Sequence, residues 1–183
     1  MRLWGRNQLD QRINALLPRL YAIARSWGCA ADVCDDLIQE TLTTALTKQA
    51  QLRDPKSLDC WMIRILVNAH RQYLRKRKWL TTLENAELVE EMGPTNYLES
   101  DRTVERVRLG IKALSDEHRK VLVLVDMEGL NYRDAADALD IKIGTVMSRL
   151  ARARNKLRNL LADDEFLETE SIEQSKIGLR SIK

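Results

Sequence analysis

Phenylalanine occurs once, proline three times and glycine seven times in 183 residues. So few turn formers and aromatics argue against a sheet-rich fold and for helices. No stretch approaches the roughly 18 uncharged apolar residues that a bilayer span needs, so no membrane insertion is expected. The opening "MRLWGRNQLDQRIN" lacks the apolar core of a secretory signal, which makes the cytoplasm the expected location. Three cysteines, Cys29, Cys34 and Cys60, are an odd number without metal-site spacing. The two histidines, His70 and His118, stand at no ligand spacing from them. Reduced, buried thiols are the simpler reading, and a redox or metal role stays open. No nucleophile or phosphate-loop motif accompanies the isolated histidines, so neither an enzyme nor a cofactor is expected. Lys and Arg number 30 against 27 acids, a net charge of only +3. How the charge is distributed therefore matters more than its sum.

Acids are missing locally as well. Between Ile141 and Ala162 there is no Asp or Glu, while Arg149, Arg152, Arg154, Lys156 and Arg158 all fall there. At 100° per residue, Val146, Leu150, Ala153, Leu157 and Leu160 form one narrow apolar stripe. Met147, Ser148, Ala151 and Arg152 point away from it, and Arg149, Arg154 and Lys156 lie on the flanks. A membrane-surface helix wants bulky apolar residues and interfacial aromatics, and this helix has no aromatic. A solvated helix usually mixes signs at i,i+4. A reader helix in the major groove presents small, polar and Arg side chains near its N-terminus, with cations around them for phosphates. The preceding segment strengthens that reading. "NYRDAADALDIKIGTVMSRL" is a short helix, a tight turn and the basic helix, the helix-turn-helix pattern. Ala135 and Ala136 are small where two helices approach, Ile141 can plug the turn, and Tyr132 and Val146 can pack beneath.

The whole chain reads as all-α, two small helical domains joined by a flexible acidic linker. Residues 1–80 form the first module, with helices expected at about 8–27, 32–49 and 57–79. Pro18 predicts a kink or break in the first of these. The second helix buries Val33, Leu37, Ile38, Leu42, Ala45 and Leu46. Ser57 is the expected cap of the third. Residues 81–102 are the linker, 103–162 the second module with four helices, and 163–183 a tail without a decisive signal. The third helix carries Leu58, Met62, Ile65, Ala69 and Tyr73 as a core stripe. A second stripe holds Trp61, Arg64, Asn68, Arg71 and Arg75, followed by Lys76, Arg77 and Lys78. A polar and cationic face beside an aromatic suits phosphate tracking and base contact, although a half-buried core role for Trp61 is equally consistent.

Two basic helical modules joined by an acidic linker, in so short a chain, resemble the extracytoplasmic-function (ECF) sigma factors of bacterial RNA polymerase. The resemblance runs from about Leu9 to Leu161. "DDLIQETLTTAL" resembles the polymerase-docking segment of the sigma-2 domain, and "WMIRILVNAHRQYLRKRK" the promoter-melting helix after it. "LSDEHRKVLVLVDMEGLNYRDAADALDIKIGTVMSRLARARNKL" resembles the sigma-4 domain. The resemblance implies docking of core RNA polymerase on Asp36, Gln39 and Glu40, and capture of a flipped −10 base by the loop 52–60 beside Asn68. Trp61, Arg64, Arg71, Arg75, Lys76 and Arg77 would complete that −10 surface. In the second module it implies −35 reading by Met147, Ser148, Ala151 and Arg152, with phosphates held by Arg133, Lys142, Thr145 and Arg149. Met147 departs from the Lys or Arg common there and Ala151 offers only a methyl, which leaves Arg152 and Ser148 as direct readers. An anti-sigma factor is the further partner the family implies, and a stress or stimulus regulon the expected output. Two other readings stay open: a stand-alone helix-turn-helix regulator of duplex DNA, and a helical interaction protein that mimics a sigma factor.

Overall fold

The computed structural model describes residues 6–52, 54–84 and 102–162. Those residues are all-α, as expected. The first module holds α1 (Arg6–Ser26), α2 (Ala31–Thr47) and α3 (Leu58–Glu84). The second holds α4 (Arg102–Lys112), α5 (Asp116–Leu122), α6 (Tyr132–Leu139) and α7 (Ile143–Ala162). Short 3-10 turns at Gln49–Gln51 and Pro55–Ser57 separate α2 from α3, and α5 runs on through a wider π turn, Val123–Met127. The expected tail lies outside the described residues, as does most of the expected linker. The first four residues assigned to the linker, 81–84, instead continue α3.

Helical periodicity explains the first module. Leu9, Ile13, Leu20 and Ile23 of α1 are buried against Leu37, Ile38 and Ala45 of α2 and Leu58, Met62 and Leu66 of α3. Three expectations need correction. Pro18 sits inside an unbroken α1. Its ring faces solvent, and burial of Ile13, Leu20 and Ile23 on either side offsets a cost of about 3 kcal/mol. Leu46 is 50% exposed, not buried, because α2 is covered on one face only. The third is the cap at the start of α3. Asp54 accepts from the Lys56 amide at 2.9 Å, and Ser57 donates to the Asp54 carbonyl rather than capping α3.

The second module follows the same logic more closely. Asn131 caps α6 by accepting from the Asp134 amide at 2.9 Å. Asp140 ends α6 in the left-handed conformation, φ 51°, which Asp tolerates better than most residues. Gly110 of α4 lies where a Cβ would meet Leu157 Cδ1 of α7 at 2.7 Å, so a larger residue there would have to push the end of that side chain aside. Ala135, Ala136 and Val146 are buried and Ile141 packs on the core. Tyr132, expected beneath the turn, is 39% exposed.

The two modules pack on one another, chiefly α3 on α6 with further contact of α1 on α4 and on the π turn. Arg19 bridges Glu128 (Nε to Oε2, 2.7 Å; Nη2 to the carbonyl, 2.8 Å) and Asp59 at 3.2 Å. The buried Arg119 donates to four carbonyls: Trp27 at 2.6 Å, Ile111 at 3.2 Å, Leu114 at 2.9 Å, and Lys112. Arg71 donates to the Leu139 carbonyl.

Candidate nucleic-acid interface

The turn between α6 and α7 is closed by backbone bonds, Ile141 N–H to Ala136 O at 3.1 Å and Thr145 N–H to Lys142 O at 2.9 Å. They fix how α7 leaves the module. Val146, Leu150 and Ala153 are buried, and Met147, Ser148, Ala151 and Arg152 are all exposed, Met147 by 53%. The four expected readers therefore share one open face. The Ser148 hydroxyl donates to Thr145 O at 3.1 Å, which leaves its lone pairs outward. Lys142 and Arg133 are exposed beside this face, and Thr145 and Arg149 are partly covered.

The flanks hold what a local reading of the helix missed. Arg149 pairs with Glu117 at 2.7 Å, and Arg154 reaches both oxygens of Asp126 at 2.6 and 2.9 Å. The helix has no acid of its own, yet the start of α5 and the π turn supply two. No sequence-local signal could reveal them, because the acids lie about 30 residues away. Both pairs are at the surface and contribute little to stability, but they hold the guanidiniums on either side of the exposed face.

The second expected surface is a groove of about 490 Å³ between α2 and α3. Trp61, Arg64, Asn68, Gln72 and Arg75 line one wall and Glu40, Thr44, Lys48 and Gln51 the other. Arg64, Asn68, Arg75 and Lys76 are exposed; Trp61 and Arg77 are half-buried. Of the expected −10 set the groove brings together Trp61, Arg64, Asn68 and Arg75, while Lys56, Asp59 and Cys60 of the expected base-capturing loop line a different cleft. Arg71, Lys76 and Arg77 do not line the groove: Arg71 donates to Leu139 O, and Arg77 lines a separate cavity beside Trp27 and His70. Asn68 also lines a second cleft of about 470 Å³, formed with Arg71, Arg75, Glu117, Lys120 and Arg149, so it stands at the border of the two modules. Asp36, Gln39 and Glu40 are exposed on α2, opposite the buried Cys34, Leu37, Ile38 and Thr41. Glu40 belongs to both this acidic face and the groove.

Sequence reasoning missed the groups that join the modules. Trp27 stacks on His70 with ring centroids 5.0 Å apart, and the Lys120 ammonium sits 5.6 Å over the Trp27 ring. Burial, with Lys120 and Arg119 close by, lowers the His70 pKa to about 4, so the ring is neutral at pH 7. Burial lowers Lys120 as well, against the pull of Asp116 at 2.8 Å. Among the described residues, no cluster of His, Cys, Asp or Glu is placed to hold a metal ion, and no helix is long and apolar enough to cross a membrane.

Two family descriptions match the chain: Sigma-70 region 2 over residues 12–80 and Sigma-70, region 4 over residues 105–157. The chain is 36% identical over 164 residues to the ECF RNA polymerase sigma factor EcfG of Rhodopseudomonas palustris, covering 86% of this chain and 87% of the relative. It is 31% identical to the ECF RNA polymerase sigma factor SigM of Mycobacterium tuberculosis, covering 85% and 78%. Its fold is similar to the sigma factor RpoE of Bartonella quintana, solved with the anti-sigma factor NepR, with TM-score 0.77, 30% identity and coverage of 86% and 98%. It also resembles CnrH solved with the cytosolic domain of CnrY, with TM-score 0.65, 24% identity and coverage of 87% and 91%.

Proposed function

The chain belongs to the ECF group of sigma-70 RNA polymerase sigma factors, alternative factors for transcription initiation, and from that premise we propose how its surfaces divide the work. The single observation that carries the reading is the exposed quartet Met147, Ser148, Ala151 and Arg152 over a buried stripe. These four side chains enter the major groove of the −35 element. Arg152 and Ser148 bond base edges, while Met147 and Ala151 offer apolar contact to thymine methyls. Arg133, Lys142, Thr145 and Arg149 hold flanking phosphates and set the register.

The groove between α2 and α3 takes the −10 element. A base leaving the stack costs a few kcal/mol, and Asn68 supplies an amide for its edge, with Trp61 as a stacking wall. Arg64, Arg75, Lys76 and Arg77 hold the strand, and Arg71 joins them once the modules separate. Asp36, Gln39 and Glu40 dock on core polymerase, whose basic surface matches them in charge. The chain carries no catalytic centre of its own, acts in the cytoplasm and switches on a stimulus-specific regulon. An anti-sigma factor keeps it idle by holding the packed modules together; the similarity to a sigma factor captured with its anti-sigma factor supports this.

The test is reconstituted transcription. Purified chain added to core polymerase should give transcripts whose starts share two upstream motifs at fixed spacing. Failure to bind core enzyme, with duplex binding intact in its absence, would overturn the reading in favour of a stand-alone regulator.

A further inference from the structure

The cleft of about 470 Å³ at the border of the modules has walls from both of them. Its volume falls within the range of small-molecule sites. The first module supplies Asn68, Arg71 and Arg75 from α3, and the second supplies Lys120, Arg149 and two acids, Asp116 and Glu117. Four cations against two carboxylates leave the cleft positive. The acids are unevenly placed. Asp116 holds Lys120 at 2.8 Å and Glu117 holds Arg149 at 2.7 Å, so both second-module cations are paired. The uncompensated charge comes from α3, from the exposed Arg75 and from Arg71, whose Nη2 donates to the Leu139 carbonyl. Lys120 is only 5% exposed. Burial lowers its pKa and Asp116 raises it, while Arg71 lowers it again. Two like charges therefore repel across the joint, where a further anion would favour both.

We propose that this cleft binds a diphosphate group, free or at the end of a nucleotide, and that the bound anion locks the two modules together. Its oxygens accept from Arg71 and Arg75 on one side and from Lys120 and Arg149 on the other. Guanidinium groups suit such an acceptor because their N–H donors lie in one plane and can bond two oxygens at once. The part-buried walls weaken screening by salt. At this volume the cleft takes a compact anion rather than a length of strand.

The lock follows from the split of the donors. Each module brings two of the four cations, so the site is complete only while α3 and the second module are packed. A ligand of the packed arrangement alone opposes opening by mass action. Asn68 and Arg75 also line the groove between α2 and α3. On the −10 reading above, on which this last consequence rests, the bound anion withholds Arg71 and Arg75 from promoter DNA.

The experiment is calorimetric titration of the full chain with inorganic pyrophosphate in metal-free buffer, with sulfate at equal ionic strength as the reference and ADP as a second arm. Pyrophosphate should bind one to one, about tenfold tighter than sulfate, as one further charge-assisted hydrogen bond gives. ADP as tight or tighter assigns the diphosphate to a nucleotide, and weaker ADP assigns it to the free ion. Arg75→Ala and Arg149→Ala, one from each module, should each weaken binding about tenfold. Glu117→Gln, which frees Arg149, should tighten it about two- to five-fold, a gain that misfolding does not give. Arg158→Ala, exposed on α7 and outside the cleft, should leave it unchanged. Pyrophosphate no tighter than sulfate, or an equal loss with Arg158→Ala, means an adventitious ion only and overturns the site. At about nine times its dissociation constant, pyrophosphate should slow the slowest amide exchange of α2 and of α6 alike, by about tenfold. Protection of one module alone, or a loss with only one of Arg75→Ala and Arg149→Ala, overturns the lock. None of these readouts uses polymerase or DNA, so they are separate from the promoter reading, which fails instead if the chain does not bind core enzyme.

Discussion

Helix α7 is buried along one stripe, Val146, Leu150 and Ala153, while the first half of α3 is buried on two sides, by Leu58, Met62, Ile63, Leu66, Val67, Ala69 and His70. Both helices are basic and both were expected to read DNA. The difference lies in where each stands. α7 packs chiefly on α5, α6 and α4 of its own module, so the face carrying Met147, Ser148, Ala151 and Arg152 stays exposed while the modules are packed together. α3 lies between its own module and α6, and the contact with α6 removes Arg71 from the face its sequence assigns it. Charge on a helix thus says what it can bind, and packing decides how many of those cations are offered at once.

The comparison breaks most visibly when a buried residue is cut on each helix. Ile63→Ala and Leu150→Ala should each cost about 2–5 kcal/mol in urea unfolding. The spread of damage should differ. Ile63 borders Gly129, Leu130, Asn131 and Asp134 of the second module, so its truncation should speed amide exchange in α6 as well as in α1 and α2. Leu150→Ala should leave the protection of α1 and α2 unchanged. Equal, module-confined effects would remove the distinction between the helices.

Titration sharpens the same contrast, because α3 buries a histidine and α7 has none. His70 has a native pKa of about 4 against 6.5 in the unfolded chain. Between those values the unfolded chain binds the extra proton and the native chain does not, so stability rises with pH across this window. On acidification, stability is lost from about pH 6.5 down to about 4, by roughly 3 kcal/mol. The measurement is the unfolding free energy of wild type minus that of His70→Gln across pH 4–7, which cancels the carboxylates. A flat difference would mean that the ring takes up its proton in the native chain at the same pH as in the unfolded chain.

Much of this was readable in advance for a physical reason. Core stripes follow from a 3.6-residue period, so the helices, the buried Leu37, Met62 and Val146, and the open faces of α2 and α7 came directly from the pattern. The joint did not. Arg119 reads as an ordinary surface arginine of an amphipathic helix, and only the carbonyls of Trp27 and Leu114, brought from both sides, explain its burial. His70 falls between the two stripes assigned to α3, where a single-module wheel has nothing to cover it. Glu117 and Asp126 reach α7 from the other end of their module. Contacts between modules leave no period in the sequence, and the unanticipated partners of Arg119, His70, Arg149 and Arg154 belong to such contacts or to long-range ion pairs.

On α7, Arg152→Ala should cost about 1–3 kcal/mol of discrimination at one promoter base. It should change unfolding stability by less than about 0.5 kcal/mol, as an exposed substitution does. Promoter variants scored with reconstituted polymerase give the first figure and urea unfolding the second. A stability loss instead would make Arg152 structural and leave α7 without its charged reader.

The smallest effect is on α3, and it separates two arginines that the sequence places in one stripe. Each phosphate neutralised on a single strand steepens the dependence of log K on log salt by about 0.7. Arg75 is exposed and lines the groove, so Arg75→Ala should reduce the slope by about that amount when the full chain binds oligo-dT. Arg71 is held by the Leu139 carbonyl, so Arg71→Ala should leave the slope of the free chain unchanged. On the proposed separation of the modules by core polymerase, the same substitution should then lower the slope as Arg75→Ala does. An Arg71 effect already present in the free chain would mean that α3 offers its full stripe without opening, and the contrast with α7 would be lost.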